Sequence, residues 1–439
     1  MKRLSTLQIL LLNGLLITAC TSNGEVVQKD AANVELTRST VPAVNNPDIT
    51  DAEYATFIAA TNDFGLALYQ QTNSDLELTA QNGVFSPASA QLALAMAYGA
   101  AVGDTAAAMK STLRDTLGSD KYHAACNRLQ RELASRNGNG TTASGYPWRI
   151  ELAPANSLWA DGSLSVKTPY LDLLSEQYDT GLWRVDFKNQ PEAARLAVND
   201  WVLDHTHDRV QELLQPGSVD RTTPFVLVNA LYFYGSWAMP RFDKAFTAPA
   251  VFHTLDGTDV NPSTMHQWDV TEPYKSTDTI EVMQLRYEGN DLRMTLVLPA
   301  AGQFEATRAQ ISGQWLANVT AGLTSTLVAI SLPKFKIATP QRKLTRSLAA
   351  LGMGITLSPD TADFSGMTDD RPLYLQDVVQ TAFIGADEDG TEATAATAIT
   401  ISGGTATPTA VTFDRPFLFF VQDKTGLVLF AGQVVDPTQ

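Results

Sequence analysis

From Asp51 onward, apolar side chains recur at helical spacing: Tyr54, Phe57, Ile58, Phe64, Leu66 and Leu68 form one stripe behind Asp51, which is placed to cap it. Similar patterning predicts helices over about 53–71, 87–100, 104–117, 121–136, 168–178, 191–205 and 340–351. Runs of aromatic and β-branched residues predict strands at Phe225–Tyr234, Glu281–Tyr287, Leu292–Leu298, Leu327–Phe335, Val411–Val421 and Leu427–Val434. Helices gather early and strands late, without regular βαβ alternation, so the class is α+β. No Pro/Gly/Ser-rich linker, charge block or internal repeat divides 51–439, which predicts one large domain.

The first residues follow a different pattern. Lys2 and Arg3 precede an apolar run, Leu7–Leu16, interrupted by Gln8, Asn13 and Gly14, and then Ile17-Thr18-Ala19-Cys20. The run is too short to anchor in a bilayer and reads as an export signal over 1–19. Ile-Thr-Ala-Cys resembles a bacterial lipobox, which implies that Cys20 carries a diacylglyceryl group and becomes the mature N-terminus; the bland alternative is an ordinary signal cut at a small residue. Thr21, in place of Asp, resembles lipoproteins sorted to an outer membrane. Residues 20–50, mixed and polar with Pro42 and Pro47, read as a flexible tether to that membrane. Cys126 is then a lone thiol, expected to be buried on a helix, and no disulfide forms.

Composition narrows the function by exclusion. With 44% hydrophobic and 18% charged residues the chain is expected to fold, and a net charge of −16 speaks against a nucleic-acid partner, which needs clustered Lys and Arg. There is no GxSxG elbow, HExxH, P-loop or dinucleotide glycine fingerprint, so no catalytic cluster and no cofactor are expected. His205-Thr206-His207-Asp208 could suggest a metal tract, but on a helix residues two apart face different ways, so no metal is expected. His123 and His253 are expected at the surface, and Asp387-Glu388-Asp389 reads as a solvated turn rather than a calcium loop.

One stretch stands apart. From Thr391 to Ile401 alternate positions give one uncharged face, Thr391, Ala393, Ala395, Thr397, Ile399 and Ile401, while Glu392, Thr394, Ala396, Ala398 and Thr400 form the other. It can be buried on one side as a strand. Its small side chains and the run Ser402–Pro408 fit an exposed loop equally well, and composition alone favours the loop.

The surrounding motifs decide how to read it. Phe85-Ser86-Pro87-Ala88-Ser89 resembles the Phe-Ser-Pro-x-Ser helix start of the serpin family, and Asn229-Ala230-Leu231-Tyr232-Phe233-Tyr234-Gly235-Ser236-Trp237 resembles that family's Asn-Ala strand. Met265, Leu332-Pro333-Lys334-Phe335, Leu351-Gly352-Met353, Phe364-Ser365-Gly366-Met367, Arg415-Pro416-Phe417-Leu418-Phe419 and Phe430-Ala431-Gly432-Gln433-Val434 follow in the family's order. The resemblance spans about 53–437. It implies a serpin fold: a single large domain over 51–439 with a central, mostly antiparallel sheet, further sheets, about eight or nine helices and an exposed reactive loop near 388–414.

It also implies a function. An inhibitory serpin is no enzyme: a serine or cysteine protease attacks its loop, forms a covalent acyl-enzyme, and is trapped when the cut loop inserts into the main sheet, a strain-releasing switch for which the family is a general example. On this resemblance Glu388, Gly390, Thr391, Ala393, Thr394, Ala395 and Ala396 form the loop hinge. The uncharged alternate face is what insertion requires, and Glu392 falls on the outward face. Family register puts the scissile bond at Gly404–Thr405, while counting back from Pro416-Phe417 gives Thr405–Ala406. By motif position Ser86, Ser89 and Asn229 resemble a hydrogen-bonded shutter under the sheet and Trp237 the breach tryptophan at the point of insertion. Gln380 stands where the family usually has His, and it can both donate and accept. Segment 393–414 has no Lys or Arg, which disfavours trypsin-like targets and suits elastase-like or subtilisin-like ones. The chain is expected to be a monomer whose partner is the target protease. The alternative is a non-inhibitory serpin acting as a binding or structural protein.

Overall fold

The computed structural model describes residues 34–73, 80–238, 242–339, 342–370, 373–391 and 407–439. Nine α-helices are present among them: α1 (Asp51–Thr72), α2 (Pro87–Tyr98), α3 (Gly103–Thr112), α4 (Ser119–Ser135), α5 (Thr168–Tyr178), α6 (Pro191–His205), α7 (Phe304–Arg308), α8 (Gly313–Thr320) and α9 (Thr345–Leu348). The strands that matter below are β1 (Glu35–Thr37), β2 (Gly83–Phe85), β3 (Gly138–Thr141), β4 (Pro147–Asp161), β5 (Leu182–Val185), β6 (Phe225–Ser236), β7 (Ser263–Ser276), β8 (Ile280–Arg286), β9 (Leu292–Pro299), β10 (Thr324–Pro333), β11 (Phe335–Ala338), β12 (Val378–Ala386), β13 (Gly390–Thr391), β14 (Thr409–Thr412), β15 (Phe417–Asp423) and β16 (Val428–Val434).

Local chemistry explains how the helices begin. α1 starts on a capping box, in which Glu53 N donates to Thr50 Oγ1 (3.3 Å) and Thr50 N to Glu53 Oε2 (2.8 Å). The cap is therefore Thr50, one residue before the expected Asp51. α2 starts on Ser86, whose side chain accepts from Ser89 N, with Pro87 in the first turn. Every residue of α2 is buried, so it has no polar face and runs through the core.

The central nine-stranded sheet runs β1-β5-β4-β6-β12-β11, with β3 on β4, β13 on β6 and the two-residue strand Arg342–Lys343 on β12. Its longest pairing is antiparallel, β4 with β6 from Ile150↔Gly235 to Ala160↔Phe225. β6 and β12 are parallel neighbours, paired only from Val378↔Leu227 to Ala382↔Leu231. A second sheet runs β14-β10-β7-β8-β9-β15-β16-β2. The main core lies between the sheets around α2, and a smaller one lies under α6 on the other face of the central sheet. The expected α+β class is present.

Several local expectations need correction. Residues 35–50, read as tether, belong to the body: β1 pairs antiparallel with β5, Val44 N donates to Glu176 O (2.9 Å), and Ser175 Oγ donates to Val41 O (2.6 Å). A polar segment docks when its backbone satisfies a free sheet edge, and hydrophobic periodicity is blind to that. The predicted strand Val411–Val421 is two strands, β14 and β15, separated around Pro416, whose ring removes a ladder donor. β4 escaped prediction because Ala153-Pro154-Ala155-Asn156 at its centre has weak strand preference. His123 is buried on α4, with Nδ1 2.6 Å from Tyr178 Oη, and burial lowers its pKa to about 4. Cys126, as expected, is a buried free thiol, and burial raises its pKa.

Candidate functional site

The seam between β6 and β12 parts above Leu231. Below that point the two strands share a ladder. Above it the β12 ladder among the described residues is with β11 on its far edge, from Phe383↔Ala338 to Ala386↔Phe335, while Gly235 and Ser236 of β6 take a different partner. That partner is β13, the start of the predicted hinge, which has turned back and pairs antiparallel as Gly390↔Ser236 and Thr391↔Gly235. The hinge therefore begins as a short strand seated at the mouth of the parted seam.

Contacts on every side hold it there. Thr391 is fully buried, its Oγ1 2.6 Å from Tyr287 Oη. The Tyr287 ring stacks on Trp237, with centroids 4.6 Å apart. Trp237 Nε1 donates to Asp387 O (2.9 Å) and its backbone N to Asp389 O (3.1 Å), so the predicted breach tryptophan clamps the turn that feeds the hinge. Gly390 has to be glycine, because a Cβ there would meet Gly235 O at 2.0 Å.

The acidic turn is not solvated. Glu388 and Asp389 are almost fully buried, and each has a cation: Lys334 Nζ lies 2.8 Å from Glu388 Oε2, and Lys244 Nζ 2.7 Å from Asp389 Oδ2. Thr247 Oγ1 also donates to Glu388 Oε1 (2.8 Å). Burial opposes ionisation of Glu388, but the Lys334 ammonium together with hydrogen bonds from its own backbone and from Thr247 outweighs it and holds the carboxyl below its ordinary range. A depressed pKa stabilises the fold above the ordinary carboxylate range, and this contribution is lost as pH falls through the folded value. At Asp387 burial prevails and raises the pKa. Lys334, Lys244, Thr247 and Tyr287 were not foreseen as site residues. Lys334 lies within a quoted motif, but nothing local showed that it would meet Glu388.

Lower in the seam the predicted shutter residues come together. Asn156 of β4, Asn229 of β6 and Gln380 of β12 occupy one row, through the registers Asn156↔Asn229 and Gln380↔Asn229. Residues directly opposite share a face, and these three meet the start of α2. Asn229 Nδ2 donates to Ser89 Oγ (2.7 Å) and Asn156 Oδ1 (2.8 Å), and Ser89 Oγ donates to Asn156 Oδ1 (3.0 Å). Gln380 Nε2 donates to Asn229 Oδ1 and to Ser86 O, and Gln380 Oε1 accepts from Ser86 N (3.0 Å). The network bolts three strands to one helix across the seam. Asn156 is the member that sequence reading missed, since a lone Asn in a weak strand pattern carries no signal.

Gln380 has no proton to gain or lose near neutrality. Replacing it with His puts a titratable group in a buried site, where the charged form is disfavoured. The unfolded chain then binds the extra proton more readily. Gln380→His is expected to lose about 1 kcal/mol or more of additional stability relative to the parent between pH 8 and pH 5.5. Urea unfolding of both proteins at the two pH values checks this.

The remaining predictions divide. Ala393, Thr394, Ala395, Ala396 and both scissile pairs, Gly404–Thr405 and Thr405–Ala406, lie outside the described residues, as does Cys20. In the histidine tract His205 stacks on Trp201 and His207 Nε2 lies 2.7 Å from Glu151 Oε1; among the described residues no three or more His, Cys, Asp or Glu side chains are grouped as metal ligands.

Comparison with known proteins agrees with this geometry. The family pattern described as "Serpin (serine protease inhibitor)" matches residues 59–437. A serpin-like protein of Thermococcus kodakarensis is 32% identical over 91% of this chain and 90% of its own length. Plasminogen activator inhibitor 1 of Bos taurus is 33% identical over 85% of this chain and 91% of its own. Among solved structures, the thermophilic serpin tengpin in its native state superposes with a TM-score of 0.80 at 25% identity, covering 92% of this chain and all of that one. With a parted seam, a seated hinge and a match over nearly the whole body, the chain belongs to the serpin family.

Proposed function

We propose that this chain is a suicide-substrate inhibitor of serine proteases, and by the same chemistry of cysteine proteases, with elastase-like or subtilisin-like specificity. The observation that carries the reading is Thr391 already paired with Gly235 beside an open seam. Continuing that antiparallel register sets Ala393 opposite Phe233, Ala395 opposite Leu231 and Thr397 opposite Asn229. These are the uncharged alternate positions, and their partners in β6 are buried. When Thr397 reaches Asn229, it must displace the Gln380 bond, so the shutter row is the last barrier to insertion.

The bait window is Ile401–Ala406, without Lys, Arg or aromatic residues. A shallow protease pocket accepts small and branched side chains. The test is to incubate the purified protein with elastase and with subtilisin and to run a denaturing gel. A covalent band is expected near the summed masses, whereas cleaved protein alone removes the inhibitory reading and leaves a binding or structural serpin.

The same proposal extends to the cell envelope. Lipidation at Cys20 would tether the inhibitor to an outer membrane and set it against proteases met there. Mass analysis of the N-terminal peptide is expected to show a diacylglyceryl-modified Cys20.

A further inference from the structure

Four arginines are buried among the described residues, and three of them have a carboxylate: Arg136 pairs with Asp423, Arg195 with Glu192 and Glu212, and Arg308 with Glu305. The fourth, Arg342, has none among the described residues. It is 7% exposed, its guanidinium makes one hydrogen bond, from Nη1 to Asn73 Oδ1 (3.0 Å), and its Nε reaches no acceptor. Desolvation lowers its pKa, because a buried charge without a counter-charge is costly.

The neighbours of Arg342 deepen the shortage of acceptors. Asn73 caps the C-terminal end of α1, and its Nδ2 is buried without a partner. Tyr69, one turn earlier on α1, is fully buried, and its Oη has no partner either. Burial raises the Tyr69 phenol while Arg342 and Asn73 each pull it back, so the three side chains stand together. Gly83, at the start of β2, makes the room: a Cβ there would stand 2.7 Å from Arg342 Nη2.

Three unpaired buried donors, Nε, Nδ2 and Oη, thus gather around one full positive charge. Buried donors are nearly always satisfied, and a ligand that both accepts from donors and cancels a cation is an anion. We infer that Arg342, Asn73 and Tyr69 bind a small inorganic anion of chloride size. All three side chains are nine-tenths buried or more, which suits an ion and excludes an organic acid. Such an ion fastens the end of α1 to the short strand Arg342–Lys343, which pairs with β12 at Gln380 of the shutter row. By mass action it stabilises the folded chain. None of this rests on the inhibitor reading.

The probe is chloride, titrated into the full chain in gluconate buffer at constant ionic strength and followed by chloride-35 line broadening. A saturable excess linewidth is expected, with affinity at least about tenfold weaker in Arg342→Met. Asn73→Asp is the sharper variant. Its carboxylate keeps the bond to Nη1 and puts an acceptor where Nδ2 now stands, so the chain carries its own anion. It is expected to lose the chloride signal and to melt about 2 °C or more above the parent in chloride-free buffer. Chloride is expected to raise the melting temperature of the parent and not that of Asn73→Asp. Lys424→Met, which removes a surface ammonium paired with Asp291, is expected to bind as the parent does. No saturable signal in the parent, an undiminished signal in Asn73→Asp, a lower melting temperature for that variant, or loss of the signal in Lys424→Met each overturns the site. Should Arg342→Met fail to fold, Asn73→Asp decides alone.

Discussion

Thr391→Arg is expected to turn the inhibitor into a substrate: subtilisin cuts the loop at an undiminished rate while the covalent band falls at least about tenfold. The wild-type side chain is completely buried, bonded to Tyr287 and opposed to Gly235. An arginine there has no carboxylate partner, since Glu388 and Asp389 are already paired with Lys334 and Lys244. Burying an unpaired charge costs several kcal/mol, and each 1.4 kcal/mol is about a factor of ten in partition. The hinge would swing out rather than seat, and hydrolysis of the acyl-enzyme would win over insertion. Glu392→Arg is the control. By sequence alternation it falls on the face opposite Thr391, and the substitution is expected to leave trapping nearly intact. Full trapping by the Thr391 variant would refute insertion through this mouth.

Cutting the loop within 401–406 without trapping a protease is expected to raise the melting temperature by at least about 10 °C. The gain does not come from the new strand alone. Ordering about a dozen residues costs on the order of 1–2 kcal/mol each, and roughly two dozen ladder bonds return about 0.5–1.5 kcal/mol apiece, so those terms nearly cancel. What remains is the relief of the parted seam. In the intact chain Tyr232–Tyr234 of β6 and Phe383–Ala386 of β12 have no ladder to each other among the described residues, although both strands lie inside the sheet. An inserted strand pairs both edges at once. Scanning calorimetry of intact and nicked protein measures the difference, and equal melting temperatures would mean that the intact form stores nothing.

Much of this was readable along the chain. Ser86 and Pro87 mark a helix start by their own chemistry, and the apolar run Leu92–Ala97 in α2 reads as core wherever it is placed. The uncharged alternation after Thr391, which the proposed insertion requires, is visible in the residues themselves. Where patterning failed, the cause was pairing at a distance. Residues 35–50 look like tether until a sheet edge is there to take them, and Asp387-Glu388-Asp389 looks solvated until Lys334 and Lys244 arrive from other elements.

The amino-acid order by itself carried the α+β class, most of the helices and strands, the family resemblance and the uncharged alternate positions after Thr391. Those are local properties, set by side-chain period, turn chemistry and motif spacing. Only the tertiary structure decided that Thr391 pairs with Gly235, that Asn156 completes the row with Asn229 and Gln380, and that α6 covers the central sheet where β6 and β12 meet. Each depends on strand register, and register is set by which distant edges meet, a quantity that no window along the chain contains.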